Sequence, residues 1–214
     1  MAGKIQQNDT IKILSFDPGT TAFGWAFSEH SPATNSFEVQ KFGDIRATKM
    51  AMRQKENVLR YGKRLVALNI IYDEVKKLLK DLKPDYVVSE DTFYSHYTPQ
   101  AYGPLLLCCH TVENLLFNAY HYPSTDPNDV VITESASVLY KIPPKSIKFV
   151  MSGTGKSFKL DMLYSLEEQM AKGRITFKHN KSFDAIRGDM NEHRVDAISC
   201  GYTFTQTILP QLQS

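Results

Sequence analysis

The sequence predicts an α/β fold built on a mixed five-stranded sheet flanked by helices. Two apolar runs, Ile11 to Phe16 and Tyr86 to Val88, read as buried strands, and each leads to a carboxylate, Asp17 and Glu90 respectively. A stretch of helical period lies between them, and a strand–helix–strand order of this kind lets the two strands lie parallel and adjacent. Asp17 and Glu90 then meet at one sheet edge.

Composition sets the outer bounds. With 214 residues, 42% of them hydrophobic, the chain can bury a full core. No low-complexity linker, internal repeat or bilayer-length apolar run interrupts it, so the expectation is a single domain over residues 11–209 with no membrane partner. The first ten residues carry neither an apolar signal core nor an Arg-rich pattern and read as a disordered lead-in over residues 1–10. That lack of a leader points to the cytoplasm of a bacterial cell or of a phage-infected host. Cys108, Cys109 and Cys200 are odd in number, sit in apolar surroundings and lack metal-ligand spacing, so buried thiols are expected.

The first strand ends at Pro18-Gly19, where a fixed proline φ and a permissive glycine allow a tight turn into a second β-rich run, Ala22 to Phe27. Asp17 is then either a turn former or a carboxylate placed where a buried strand opens to solvent. Ser36 to Phe42 supplies a third strand after the turn residues Pro32 and Asn35. From about Glu56 the period changes. Val58, Tyr61, Leu65, Leu68, Tyr72, Val75, Leu79 and Leu82 are spaced three and four apart, which predicts one long amphipathic helix ended by Pro84. The strand Asp85 to Glu90 follows at once. Glu90 reads as an exposed strand end or as the second member of a carboxylate pair, and clustered carboxylates call for a divalent cation such as Mg²⁺ or Mn²⁺.

Asp91 to Tyr102 is aromatic, polar and aperiodic, a surface loop beside that edge. Phe93 there is either a ring displayed to stack on a base or a plug for the core beneath. Pro99 begins an apolar helix reaching about Tyr120, too greasy to face water on all sides and therefore part core, part dimer contact. Asp129 to Thr133 reads as the fifth strand, Ser135 to Tyr140 as a short helix and Pro144 to Met151 as a further helix. Between Lys141 and Lys181 the chain carries nine Lys or Arg against three Asp or Glu, which suits either a solvated face or a phosphate-backbone surface. Within it, Ser152-Gly-Thr-Gly-Lys-Ser157 looks like the end of a phosphate-binding P-loop. The motif's first glycine position is Val150, and a helix rather than a strand precedes it, so a nucleotide cofactor is not expected. Gly153 and Gly155 better suit a turn that offers backbone N–H groups, with Lys156 and Lys159, to a nucleic-acid phosphate.

Asn191-Glu-His-Arg-Val-Asp196 opens the last helix and puts His193 and Asp196 at i and i+3 on one face. Alone, such a pair is commonly structural. Joined to two strand-end carboxylates it completes a four-ligand cluster of Asp17, Glu90, His193 and Asp196.

Most of the chain resembles the RuvC family of Holliday junction resolvases, nucleases of the ribonuclease H-like fold. Phe16-Asp-Pro-Gly-Thr20 is similar to that family's first strand motif, Lys83 to Glu90 to its second acidic strand, and His193-Arg-Val-Asp-Ala197 to its C-terminal acidic helix. The resemblance implies that Asp17, Glu90, His193 and Asp196 are the catalytic and metal-binding residues. It also implies DNA contacts at Lys148, the Gly153-Thr-Gly155 turn and Lys159, and a base-stacking role for Phe93. Many members have Asp where this chain has His193, and imidazole would shift metal preference toward Mn²⁺. The implied mechanism is two-metal phosphodiester hydrolysis with Mg²⁺ or Mn²⁺ ions about 3.5–4 Å apart, bridged by Asp17 and leaving 5′-phosphate ends. His193 would either ligate a metal or move a proton. The implied partners are a four-way junction or other branched DNA and a second copy of the chain, since a two-fold junction suits paired nicks by a homodimer.

Three rival readings follow from the same residues. Asp17-Pro-Gly-Thr-Thr21 also resembles the first phosphate motif of actin-like ATPases, which are longer and carry a second glycine-rich motif that this chain lacks. A relative that processes RNA and a non-catalytic junction-binding protein are the other two.

Overall fold

A computed structural model describes residues 10–93, 99–126, 129–155 and 159–213 of the chain. The expected lead-in therefore lies outside the described residues except for Thr10. A mixed sheet forms the centre, in the order β5-β4-β1-β2-β3-β6. Its strands are β1 (Ile11–Asp17), β2 (Phe23–Ser31), β3 (Ser36–Ile45), β4 (Tyr86–Glu90), β5 (Leu139–Ile142) and β6 (Ile175–Phe177). β1 runs antiparallel to β2 and parallel to β4, as the apolar runs and the intervening helical period predict. β3 returns antiparallel to β2. The carboxyl ends of β1, β3, β4 and β5 consequently lie along one edge of the sheet.

Helices cover both faces. On one side α1 (Ala47–Ala51), α2 (Lys55–Tyr61), α3 (Lys63–Leu82) and α4 (Pro99–His121) accompany a core that includes Leu14, Phe16, Phe23, Ile71, Leu79, Val87 and Leu116. On the other, α5 (Pro144–Ser152), α6 (Lys159–Ala171), α7 (Phe183–Arg187) and α8 (Glu192–Thr207) enclose Ile13, Ala26, Phe37, Val88, Ile147, Leu166, Ile198 and Phe204, and α9 (Leu209–Leu212) follows. Alternate residues of β1 and β4 feed the two cores, so both strands are buried on both faces. All three cysteines are free and buried, as their surroundings predict. Among the described residues, no helix is long and apolar enough to cross a membrane.

Four expectations need correction. The sheet has six strands rather than five. Asp129 to Thr133 is not a strand: Val130 is buried and Ile132 packs against the core, but the segment stays irregular and Val131 faces water. The true fifth strand is Leu139–Ile142, where a short helix was expected; only Ser135–Ser137 makes a 3₁₀ turn. The sixth, Ile175–Phe177, is three residues long, too short to show a period. The long helix is also broken. Gly62 adopts φ +83°, which ends α2 and lets α3 start afresh at Lys63.

Candidate active site

Register brings the strand-end carboxylates together. Phe16 of β1 is paired with Ser89 of β4, and the next residue on each strand is Asp17 and Glu90. Helix α8 packs on one face of the sheet with its N-terminus nearest the carboxylates. Asn191 caps it, its side-chain oxygen accepting from the backbone N–H of Arg194 at 3.0 Å. His193 Nδ1 donates to Asp17 Oδ2 at 2.6 Å, and its Nε2 faces Glu192 Oε1 at 3.5 Å. Asp196, one turn on, is close enough to act electrostatically on both His193 and Glu90.

Electrostatics mark the cluster as short of positive charge. Burial, reinforced by Asp17 and Asp196 and opposed by Lys148, pushes the Glu90 carboxyl up to about 8. The hydrogen bond to Asp17, helped by the charges of Asp17, Glu192 and Asp196, raises His193 above its ordinary value against the effect of burial. Among the described residues, no three His, Cys, Asp or Glu side chains are gathered closely enough to enclose an ion, and Asp17 and His193 bond each other instead. The donor chemistry nonetheless fits a hard divalent cation. Three carboxylates and one imidazole share the edge, and burial, together with the charges of Asp17 and Asp196, raises one of the carboxyls.

Small residues and a buried ion network fix α8 to the sheet, and the sequence reading misses both. Gly24, paired with Asp17 across β1 and β2, underlies His193; a Cβ there would overlap the His193 carbonyl oxygen and stand 2.7 Å from its carbon. Gly201 makes the same close approach further along, where a Cβ would come within 2.8 Å of Ser15 Oγ. Ser15, fully buried in β1, donates through Oγ to the Ala197 carbonyl at 2.7 Å. Asp44 of β3, with a side chain only 3% exposed, accepts from Arg194 Nε and Arg46 Nε at 2.7 Å each and from Asn191 Nδ2 at 3.1 Å. Burial tends to raise Asp44, but these hydrogen bonds outweigh it and hold the carboxyl below its ordinary value. A glycine inside the strand run Ala22 to Phe27 was a readable signal of close backbone approach. Asp44 gave none.

The expected nucleic-acid contacts are more scattered. Lys148 on α5 is half-buried and near enough to Glu90 to act on its charge. Phe93, three residues past Glu90, is 52% exposed, which removes the core-plug alternative. Gly153 caps α5 in the left-handed region at φ +75° and faces solvent, with Gly155 two residues on. Helix α5 precedes this turn, so the strand that a P-loop requires is absent there. Lys156 lies outside the described residues, as does the side chain of Lys159, whose backbone starts α6.

No family model matches the chain. A curated relative, the crossover junction endodeoxyribonuclease RuvC of Fusobacterium nucleatum, is 26% identical over 84 residues, which are 39% of this chain and only 37% of that protein. The structure of T. thermophilus RuvC in complex with Holliday junction substrate superposes over 95% of this chain and 97% of its own, with TM-score 0.63 at 14% identity. The yeast mitochondrial Holliday junction resolvase Ydc2 covers 96% and 85% respectively, with TM-score 0.57 at 13% identity. The sheet order, the two-faced helical cover and these superpositions agree: the chain has the ribonuclease H-like fold found in RuvC and related Holliday junction resolvases.

Proposed function

We propose that the protein is a metal-dependent, structure-selective endodeoxyribonuclease that resolves four-way junctions or other branched DNA by paired nicks, acting as a homodimer in a bacterial or phage-infected cell. The observation that carries this reading is the convergence of Asp17, Glu90, His193 and Asp196 from two parallel strands and one helix at a single sheet edge. Fold likeness to proteins solved with or named for Holliday junctions supports it.

Asp17, Glu90 and Asp196, with His193, are the residues that would hold Mg²⁺ or Mn²⁺, two ions in the complete site. Such ions supply an activated water and stabilise the leaving 3′-oxygen. The rest falls to the chain itself. His193 orients Asp17 through Nδ1, and Lys148 sits where it can balance an incoming phosphate against Glu90. Phe93, displayed beyond Glu90, offers a ring to an unstacked base at a branch point, an interaction worth about 1–3 kcal/mol. The turn from Gly153 to Gly155 offers backbone N–H to a DNA phosphate on the α5 side, and Lys156 and Lys159 are assigned to the same contact from the sequence. Exposed Leu106, Leu107 and Phe117 of α4 provide an apolar face for the second copy.

A panel of labelled substrates tests the reading: a four-way junction, a linear duplex, an RNA–DNA hybrid and single-stranded RNA, each with Mg²⁺ or Mn²⁺ and no ATP. Cleavage concentrated on the junction is expected. Cleavage only of the RNA-containing substrates would replace it with an RNA-processing enzyme, and binding without nicks with an architectural protein.

A further inference from the structure

The segment from Lys49 to Arg64 is the least buried helical part of the described chain and among its most basic. It holds Lys49, Arg53, Lys55, Arg60, Lys63 and Arg64 against one acidic residue, Glu56. All six cations are exposed, and none has an acidic partner among the described residues. Helix α2 buries no residue fully: only half-buried Val58 packs against the core, and Leu59 is 88% exposed. A helix held by so small an apolar contact gains little stability from packing, and the core alone accounts for little of it.

Its ends, in contrast, are anchored. Ala47 and Ala51 of α1 enter the core, and α3 is buried from Val66 onward. The root is tied to the catalytic edge: Thr48 donates to the Thr20 carbonyl through its backbone N–H at 3.0 Å and through Oγ1 at 2.8 Å, three residues past Asp17. Just before it, Arg46 bonds the same Asp44 that holds the start of α8.

Topology then places this arm opposite the turn after α5. Both follow strands whose carboxyl ends share the edge with Asp17 and Glu90, α1 after β3 and α5 after β5. Four strand spacings separate β5 from β3, roughly 19 Å. Helix α5 packs on one face of the sheet and α1 on the other, so the acidic edge is bracketed by positive charge on both sides.

We infer that the Lys49–Arg64 arm is a second DNA-binding surface, which grips the phosphodiester backbone of a DNA arm on the side of the acidic edge away from the α5 turn. Acidic side chains at the edge repel DNA, and cations at only one flank would hold a strand without aligning it. Two flanks suit a branched substrate, whose arms leave the crossing in different directions. The inference rests on the nuclease reading above, and it adds a binding surface that no residue of the acidic cluster supplies.

The test is titration of a labelled four-way junction with the full chain in EDTA, from 50 to 300 mM KCl, using wild type and the variant Lys49→Gln/Arg53→Gln/Arg60→Gln/Arg64→Gln. Each lost phosphate contact lowers the slope of log affinity against log salt by about 0.9. The variant should therefore bind about 10- to 100-fold more weakly at 50 mM and show a slope smaller by up to about 3.6. The two half-variants, Lys49→Gln/Arg53→Gln and Arg60→Gln/Arg64→Gln, should each remove about half of that change while melting at the wild-type temperature, which separates lost contacts from lost fold. Unchanged affinity and slope in all three would overturn the arm and leave the nuclease reading standing. Failure of the wild type to bind any nucleic acid would overturn both. Full DNA affinity in the variants, with loss of binding to phosphatidylglycerol vesicles, would reassign the arm to a membrane surface.

Discussion

Gly24 of β2 lies directly beneath the backbone of His193, with no room between them for a methyl group. The glycine is paired with Asp17 on the neighbouring strand, so one close approach sets the height of α8 above the carboxylate to which His193 bonds. This contact joins packing to chemistry at the candidate site.

Gly24→Ala is expected to lift the start of α8, because the atoms it meets are backbone and cannot swing away. Overpacking of this kind costs about 1–3 kcal/mol. Displacement of a catalytic group by about 1 Å can cost on the order of 100-fold in rate. Cleavage should therefore fall by at least about tenfold while junction binding persists. Parallel rate and melting measurements check this, and a loss of stability with an unchanged rate would show that His193 tolerates the shift.

Asp44 holds the same helix end from the other side. Asp44→Ala leaves Arg46, Asn191 and Arg194 without their shared acceptor and should cost about 1.5–3 kcal/mol, the range for hydrogen bonds to a charged group. Because the folded carboxyl titrates below its ordinary value of 3.8, its contribution is present above that value and lost as pH falls through the folded one. The variant should lose stability at neutral pH and show a flatter decline in acid. Urea unfolding at several pH values measures both.

Glu90 predicts the opposite trend. Its carboxyl is ordinary at 4.5 when unfolded and about 8 when folded, so between these values the folded chain holds a proton that the unfolded chain has released. Metal-free stability contributed by this group therefore falls as pH rises from about 4.5 to about 8. The raised His193 acts in the same direction, its contribution being full below 6.5 and lost as pH rises through the folded value. A cation held by Glu90 and His193 as proposed would have to displace these protons, so affinity for Mn²⁺ should climb with pH, up to about tenfold per unit for each proton released. Glu90→Gln should remove most of that dependence, raise the melting temperature of the metal-free protein at pH 8 and abolish cleavage. Calorimetric titration with Mn²⁺ at pH 6.5, 7.5 and 8.5 provides the test.

The sequence made the acidic cluster legible because its members sit at landmarks: the ends of two apolar runs and the first turn of an apolar helix. Parallel pairing of β1 and β4 does the rest. Features that depend on distant partners stayed hidden. Asp44 is 147 residues from Asn191 and 150 from Arg194 along the chain, and nothing around it signals those bonds. Strand β5 was misplaced because Val130-Val131-Ile132 is the more continuous apolar run, although the sheet takes Leu139–Ile142 beside Glu90. Helical period ran through Gly62 unbroken and concealed the exposed arm, which the Gly62 backbone and the observed burial separate from α3.

The central claim is that Asp17 anchors a metal-dependent cut in branched DNA. It is tested most directly by mapping the products of a labelled mobile four-way junction after incubation with wild type or Asp17→Asn in Mg²⁺, Mn²⁺ or EDTA. Paired nicks on opposing strands, dependent on metal and absent in Asp17→Asn while binding persists, are the predicted result. Nicks that survive in Asp17→Asn or in EDTA, or no nicks from the wild type in either metal, would contradict the account.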